Sequence, residues 1–513
     1  MAFTAPEVEI SSNKGEPSDI RNITGTVALP SGAATAARQD TGNTTLDAIN
    51  TKTPPLASGR VPVDGSGVTQ PISAVALPLP SGASTFAEQS SQSTKLDAVN
   101  TKLDNLLSRI PATLSNGNFK SEIFIPNNYS RGIFGGLRVV TTQNVFESLF
   151  SFDKQPNVWD EVVTAGGSAT YNSNTHSVDM TVNTAAGASV VRQTFRRVRY
   201  NPSRACQFIA AAVMGQPKLN VRKRLGQFDF LDGIYFEQDD LVNYVCRRTS
   251  TSGTANDVRT PQNLWNIDKL DGSGPSGLTI DFSKHQALFA QYAFQGFATI
   301  TYGFFLNGQI IFCHKEDTAN ILSNPFMRTA HLPCRVEITN KAATASPTTL
   351  SYNSFCVKNE GEDAESEGQV RSYSQAIKTV STAVTPVISV RLGPGYERAI
   401  ADILTTTIYV NTADEVIWSV WSQPTLTGST FAINASYTQL DTAATAMTGG
   451  IELISGVLGQ STSSAQVSSD LLKLVNSLLG VSIAGTSQII TLAARSRIGS
   501  ADVLASLVWR EYP

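Results

Sequence analysis

The sequence predicts a mainly β protein: an N-terminal repetitive stalk with short coiled-coil helices, followed by two β-sandwich domains of jelly-roll type. Three observations predict it. The stretch LPSGAATAARQDTGNTTLDAINTK, from Leu29, returns fifty residues later as LPSGASTFAEQSSQSTKLDAVNTK, from Leu79, without a gap. Self-similarity at such a period marks a modular, elongated array. From about residue 116, apolar and polar residues alternate at period two, the pattern of half-buried strands. Within that region Asn307-Gly308 stands between two apolar runs, the strongest short-range hairpin signal a sequence offers.

At 513 residues the chain is too long for one core, and three units are expected, 1–115, 116–375 and 376–513. The repeats are rich in Ala, Ser, Thr and Gly and hold few large apolar groups, so neither copy buries a core alone. The segment is then either disordered or ordered by other chains. From Leu96 the apolar residues fall at Leu96, Val99, Leu103, Leu106 and Ile110, the a and d positions of about two heptads. Pro111 ends that helix. The first copy offers only Leu46 and Ile49 before Pro54 and Pro55. Helices this short are marginal alone in water, so the stripe calls for partners, and parallel copies of the same chain are the simplest source. The alternative is a helix packed on its own globular domain. The extended segments between, ITGTVALP from Ile23 and VPVDGSGVTQPISAVALPLP from Val61, read as edge-type strands or proline-rich linkers.

The β region is read in order. In THSVDMTVN, Val178, Met180 and Val182 alternate with Ser177, Asp179, Thr181 and Asn183. GIYFEQDDLVNYVCRRT gives two strands turning at Asp239-Asp240, and TITYGFFLNGQIIFCH gives the Asn-Gly hairpin. CRVEIT and TTLSYNSFCVK follow. After the acidic connector NEGEDAESEG, the segments VTPVISVRL, DILTTTIYV, EVIWSVW, SQIITLAARS and VLASLVWREY make the second sandwich. SSDLLKLVNSLLG reads equally as a short helix or a strand pair.

Composition excludes several function classes. Charged residues are 16% and the formal net charge is −3, which gives no general attraction to nucleic acid or anionic membrane. No secretory signal and no membrane-spanning run is expected. Five unspaced cysteines read as buried free thiols. GSGPSG, with Gly272, Gly274 and Gly277, matches a dinucleotide fingerprint by letter only and reads as a turn before the strand LTIDF. Cys313, His314, His331 and Cys334 imitate zinc ligands, but sequential residues on a strand point to opposite faces. Glu362, Asp363 and Glu365 match no calcium loop. No cofactor or metal is expected. Asp229, Asp232, Glu237, Asp239 and Asp240 are the one source of a carboxylate pair for polysaccharide cleavage. Arg196-Arg197-Val198-Arg199 and Arg222-Lys223-Arg224 read as outward strand faces, with anionic glycans as the alternative. Trp265, Trp418 and Trp421 are the candidate sugar-stacking aromatics, with a place in the core as the alternative.

The modules LPSGAATAARQDTGNTTLDAINTK and VPVDGSGVTQPIS resemble repeats in virion proteins of tailed bacteriophages, particularly fibre-like proteins of phages infecting aquatic and environmental bacteria. VRTPQNLWNIDKLDGSGPSGLTIDFSKHQALFAQYAF, TITYGFFLNGQIIFCHKEDTAN and MRTAHLPCRVEI resemble a domain shared by phage structural proteins. The resemblance spans most of residues 20–360, and the C-terminal unit resembles the end of the same proteins. It implies a non-enzymatic virion component made in the host cytoplasm, a head or tail fibre or similar appendage. Its N-terminal region is expected to dock on capsid or tail proteins, and its β-domains to face outward toward a host surface glycan. A homotrimer is expected by analogy with viral fibres, since Leu at a and d positions does not separate two strands from three. The main rival is a capsid decoration or cement protein that binds no host molecule; a polysaccharide-cleaving fibre is the third reading.

Overall fold

In the computed structural model of the chain, the described residues are 44, 86–107, 142–201, 204–293, 298–361, 368–412, 414–459, 464–467 and 479–512. The chain divides into two units, Met1–Ser121 and Glu122–Pro513.

In the first unit, helix α1 spans Phe86–Leu107. It starts ten residues before the expected apolar stripe. Ala87, Glu88 and Gln89 are good helix formers, and Glu88 places its charge in the first turn, where it favours the helix dipole. Thr94 and Thr101 satisfy their hydroxyls on the carbonyls of Ser90 (2.9 Å) and Asp97 (2.8 Å), so they continue the helix rather than break it. That first half carries no apolar period, so periodicity alone did not predict it. Ile110, Pro111 and the extended segments between the repeats lie outside the described residues.

The second unit is built from antiparallel sheets. The first sheet runs, in spatial order, β13 (Gln309–Asp317), β12 (Thr299–Leu306), β11 (Gln286–Ala293), β6 (Ala205–Val213), β15 (Thr348–Glu360), β4 (Ser177–Val182) and β3 (Gly167–Asn172). Strand β1 (Thr142–Leu149) also pairs with β15. The second sheet runs β10 (Asn256–Pro261), β9 (Val242–Thr249), β8 (Gly233–Asp239), β7 (Val221–Phe228), β14 (Cys334–Asn340), β5 (Ser189–Thr194) and β2 (Trp159–Thr164). Their inner faces share one core, in which Phe208 of β6 meets Phe236 of β8 edge to face at 6.4 Å. The two sheets therefore pack as a sandwich. The expected alternation holds on β4, where Val178, Met180 and Val182 are fully buried. The Asn-Gly hairpin joins β12 to β13 with φ of 51° at Asn307 and 79° at Gly308, the two left-handed residues such a turn requires. LTIDF forms no strand. Thr279 makes an isolated bridge to Asp271, flanked by backbone bonds from the Gly272 amide to the Leu278 carbonyl and from the Ile280 amide to the Leu270 carbonyl, so the segment pairs locally rather than in a sheet.

The second sandwich begins at β16 (Gln369–Val380), which crosses the expected boundary at residue 375. One sheet runs β16, β27 (Ala501–Tyr512), β18 (Ile400–Val410) and β25 (Ser464–Val467). The other runs β21 (Ile433–Ala435), β22 (Thr438–Asp441), β17 (Thr385–Leu392), β26 (Ile490–Ser496), β19 (Val416–Ser422) and β24 (Ile451–Leu458). A ribbon pairs β20 (Thr425–Thr427) with β23 (Ala446–Thr448). Trp509, Val390, Ile403 and Leu492 anchor a core separate from the first. The connector residues Glu362, Asp363 and Glu365, and most of SSDLLKLVNSLLG, lie outside the described residues.

Candidate functional sites: an exposed helical stripe and a polar cleft

On α1, Leu96, Val99 and Leu103 are 58%, 58% and 50% exposed. Among the described residues, these three of the five expected seam residues stand exposed at heptad spacing. Leu106 lies within the helix, and Ile110 lies outside the described residues. No coiled-coil stalk is evident among the described residues.

The tryptophans are not loop platforms. Trp265 is 3% exposed, stacked on Phe304 at 6.1 Å, with Nε1 donating to the Thr260 carbonyl. Trp418 is buried in the second core beside Gly456, its partner across β19 and β24, where a Cβ would come within 2.7 Å of the ring. Trp421 is half-buried on β19 and donates to Ser419 Oγ at 2.7 Å. Two of the three candidates therefore take the core alternative, because burying a large apolar ring outweighs presenting it to water.

The carboxylates proposed as a catalytic source are each held in ion pairs with arginine or lysine. Asp229 binds Arg197 at 2.7 Å and Arg398 at 3.0 Å, and Asp232 binds Arg398 at 2.8 Å. Glu237 binds Arg224 at 2.5 Å and also Arg259, while Asp239 and Asp240 each bind Lys341 at 2.6 Å. Burial works against the ionised Asp229, yet Arg197 and Arg398 hold its carboxyl below the usual carboxylate range. These groups are spent in ion pairs rather than standing as a free carboxyl pair.

The basic runs are corrected likewise. Arg197 is consumed by Asp229, and Arg199 stacks on Tyr512 at 4.2 Å. Lys223 is 1% exposed and donates to the Met214 carbonyl and Gln238 Oε1; burial pushes its ammonium down to about 8. Neither run is a uniformly outward face: Arg197, Lys223 and Arg224 turn to buried partners, while Arg222 is half-buried. Cys313 and Cys334 are buried free thiols, and His331 Nδ1 accepts from the Tyr200 amide. Among the described residues no group of three or more His, Cys, Asp or Glu side chains is placed to hold a metal.

A cleft of about 410 Å³ opens on the outer face of the first sheet, within the size range of small-molecule sites. It follows from the same alternation that builds the core. With Val178 and Met180 turned inward, Ser177 and Asp179 of β4 face outward. Register then sets Asp179 opposite Ser351 of β15, and Ser351 opposite Val213 of β6. A bulge between Tyr352 and Ser354 leaves Asn353 outside the ladder and re-aims its side chain. Asn353 Nδ2 donates to the carbonyls of Thr175 (2.7 Å) and His176 (3.4 Å) in the β3–β4 hairpin. Its Oδ1 therefore faces His285 and accepts from Nε2 at 3.0 Å. Asn172 donates to one Asp179 oxygen at 3.0 Å and Ser177 to the other at 2.9 Å. Burial alone would raise the Asp179 carboxyl, but hydrogen bonds from Ser351, Asn172 and Ser177 hold it below its ordinary value of 3.8. The cleft thus presents one ionised carboxylate, two amides, hydroxyls and an imidazole, and neither lysine nor arginine lines it. The sequence marked Ser177 and Asp179 as a polar strand face. Asn353 and His285 carried no local signal, since a bulge and a 68-residue separation brought them together.

No protein-family model matches the chain, and no curated protein matches it. Solved structures similar in part include a legume lectin-like domain from Entamoeba histolytica, at 12% identity over 42% of this chain and 98% of that one, with a TM-score of 0.26. A Bacillus licheniformis β-glucanase is 11% identical over 44% of this chain and all of its own, with a TM-score of 0.27. The CBM2 module of the evolved Dit of Lactobacillus casei BL23 phage J-1 is 8% identical over 44% and 98%, with a TM-score of 0.27. At these identities and scores the similarities assign neither activity nor ligand to this chain.

Proposed function

We propose that the chain is a non-catalytic, multimeric appendage of a phage particle, joined through its helical repeats and displaying two β-sandwiches. The observation that carries this reading is the bare stripe of Leu96, Val99 and Leu103 on α1. Three large apolar side chains in one row gain from burial when another surface covers them, and a second copy of the same helix is the simplest such surface. The sequence resemblance to phage fibre proteins supports a place on the particle, with docking through the N-terminal region. The ion-paired state of Asp229, Asp232, Glu237 and Asp239 supports a body without a cleavage pair.

Sedimentation of the full chain tests the assembly. A trimer that falls to a monomer on Leu103→Asp is the expected result, and a wild-type monomer at micromolar concentration overturns it. Immunogold labelling of intact particles tests the location. Label at the capsid or tail surface supports an appendage. Particles that lose shell stability without the protein, and a protein that binds no host cells, transfer the case to a capsid decoration protein. Release of reducing ends from polysaccharide by the purified chain overturns the non-catalytic reading.

A further inference from the structure

We infer that the cleft around Asp179 binds a neutral saccharide. The inference goes beyond the assembly reading, because the cleft is complete within one chain.

The chemistry of the lining narrows the ligand class. An anionic ligand calls for lysine, arginine or a cluster of amide donors. Here the one charged group in the lining is a carboxylate, which repels anions. An apolar ligand calls for an apolar lining, and Val213 is the single aliphatic side chain in it. What remains is a neutral molecule dense in hydroxyls, able both to donate and to accept. Asp179 is an acceptor with capacity for about four hydrogen bonds, of which Ser351, Asn172 and Ser177 take three. A sugar hydroxyl can take the remaining lone pair, in a charge-assisted bond stronger than its hydrogen bond to water.

The site is also pre-formed. Asn353 is fixed by two carbonyls and by His285, and Asn172 and Ser177 are fixed by Asp179. Little side-chain entropy is lost when a ligand enters such a frame. The same geometry argues against cleavage. A glycosidase needs two carboxyl groups flanking the bond, one of them kept protonated. Asp179 has no second carboxylate in the cleft, and its hydrogen bonds keep it ionised. With no phenylalanine, tyrosine or tryptophan in the lining, each site is weak, and several copies on one particle supply avidity.

Ligand-observed NMR with the full chain tests this. The probes are neutral trisaccharides of glucose, galactose and mannose, with trigalacturonate as the anionic control. At least one neutral trisaccharide is expected to bind at millimolar concentration, and trigalacturonate is not. Asp179→Ala is expected to weaken binding about ten-fold or more, the loss of one charged hydrogen-bond partner. His285→Ala, an exposed change that leaves the strands untouched, is expected to weaken it less. Leu103→Asp is expected to leave per-site affinity unchanged whatever it does to the oligomer, which separates this test from the assembly test. Absence of binding by every neutral trisaccharide, equal or better binding of trigalacturonate, or full affinity in both Asp179→Ala and His285→Ala would overturn the inference.

Discussion

Arg398 donates to Asp229 across 3.0 Å, an ion pair that joins residues 169 positions apart and ties the second sandwich to the first. The same guanidinium reaches Asp232 at 2.8 Å, and Arg197 closes the cluster on Asp229 at 2.7 Å. Around it, the Val481 amide donates to the Phe195 carbonyl at 2.7 Å and the Ile483 amide to Asp160 at 2.6 Å. The two sandwiches have separate cores but share this polar seam.

Arg398→Ala leaves Asp229 and Asp232 with too little compensation, and we expect a loss of about 3–5 kcal/mol in urea denaturation at neutral pH. The pH dependence follows from the sign. The folded Asp229 carboxyl titrates below its ordinary value of 3.8, so its contribution is present above that value. It is lost as pH falls through the folded value. The gap between wild type and Arg398→Ala should therefore narrow below about pH 4. A gap that stays constant down to pH 2 would contradict the ion-pair account.

The tryptophans should separate by burial. Trp265→Ala and Trp418→Ala each remove a core ring, and about 3–5 kcal/mol of stability is expected to go with it. Trp421→Ala, at a half-buried position, should cost about 1 kcal/mol or less. Thermal denaturation of the three variants measures the order, and a Trp421 effect as large as the others would refute it.

Lys223 gives the same pH sign in a higher window. Its folded ammonium titrates near 8, against 10.5 when unfolded, so between those values the unfolded chain binds the extra proton. Stability from this group rises with pH through that window. Relative to Lys223→Met, wild type should gain stability between about pH 8 and 10, read by urea midpoints on both proteins. Parallel curves for the two would show that the buried amine does not titrate there.

The β unit should stand alone. A fragment starting at Glu122 contains both cores and every ion pair named above. We expect it to keep a β-type circular dichroism spectrum and a cooperative melt. A fragment that aggregates or melts without cooperativity would mean that the helical unit completes the fold.

What the sequence determined by itself was the local order. Period two in THSVDMTVN, turn chemistry at Asn307-Gly308 and the alternation in VLASLVWREY each depend on neighbours within a few residues, and β4, the β12–β13 hairpin and β27 formed as expected. The outward placement of Asp179, and with it one wall of the cleft, came from that same alternation. Tertiary structure alone decided which charges are spent. Whether Asp229 is a free acid or a clamp depends on Arg398, and no local pattern carries that pairing. It also decided that Trp265 and Trp418 face cores, and that a bulge turns Asn353 toward His285. The physical reason is range. Backbone geometry and side-chain period are set by adjacent residues, whereas burial and ion pairing are set by whichever surfaces the folded chain brings together.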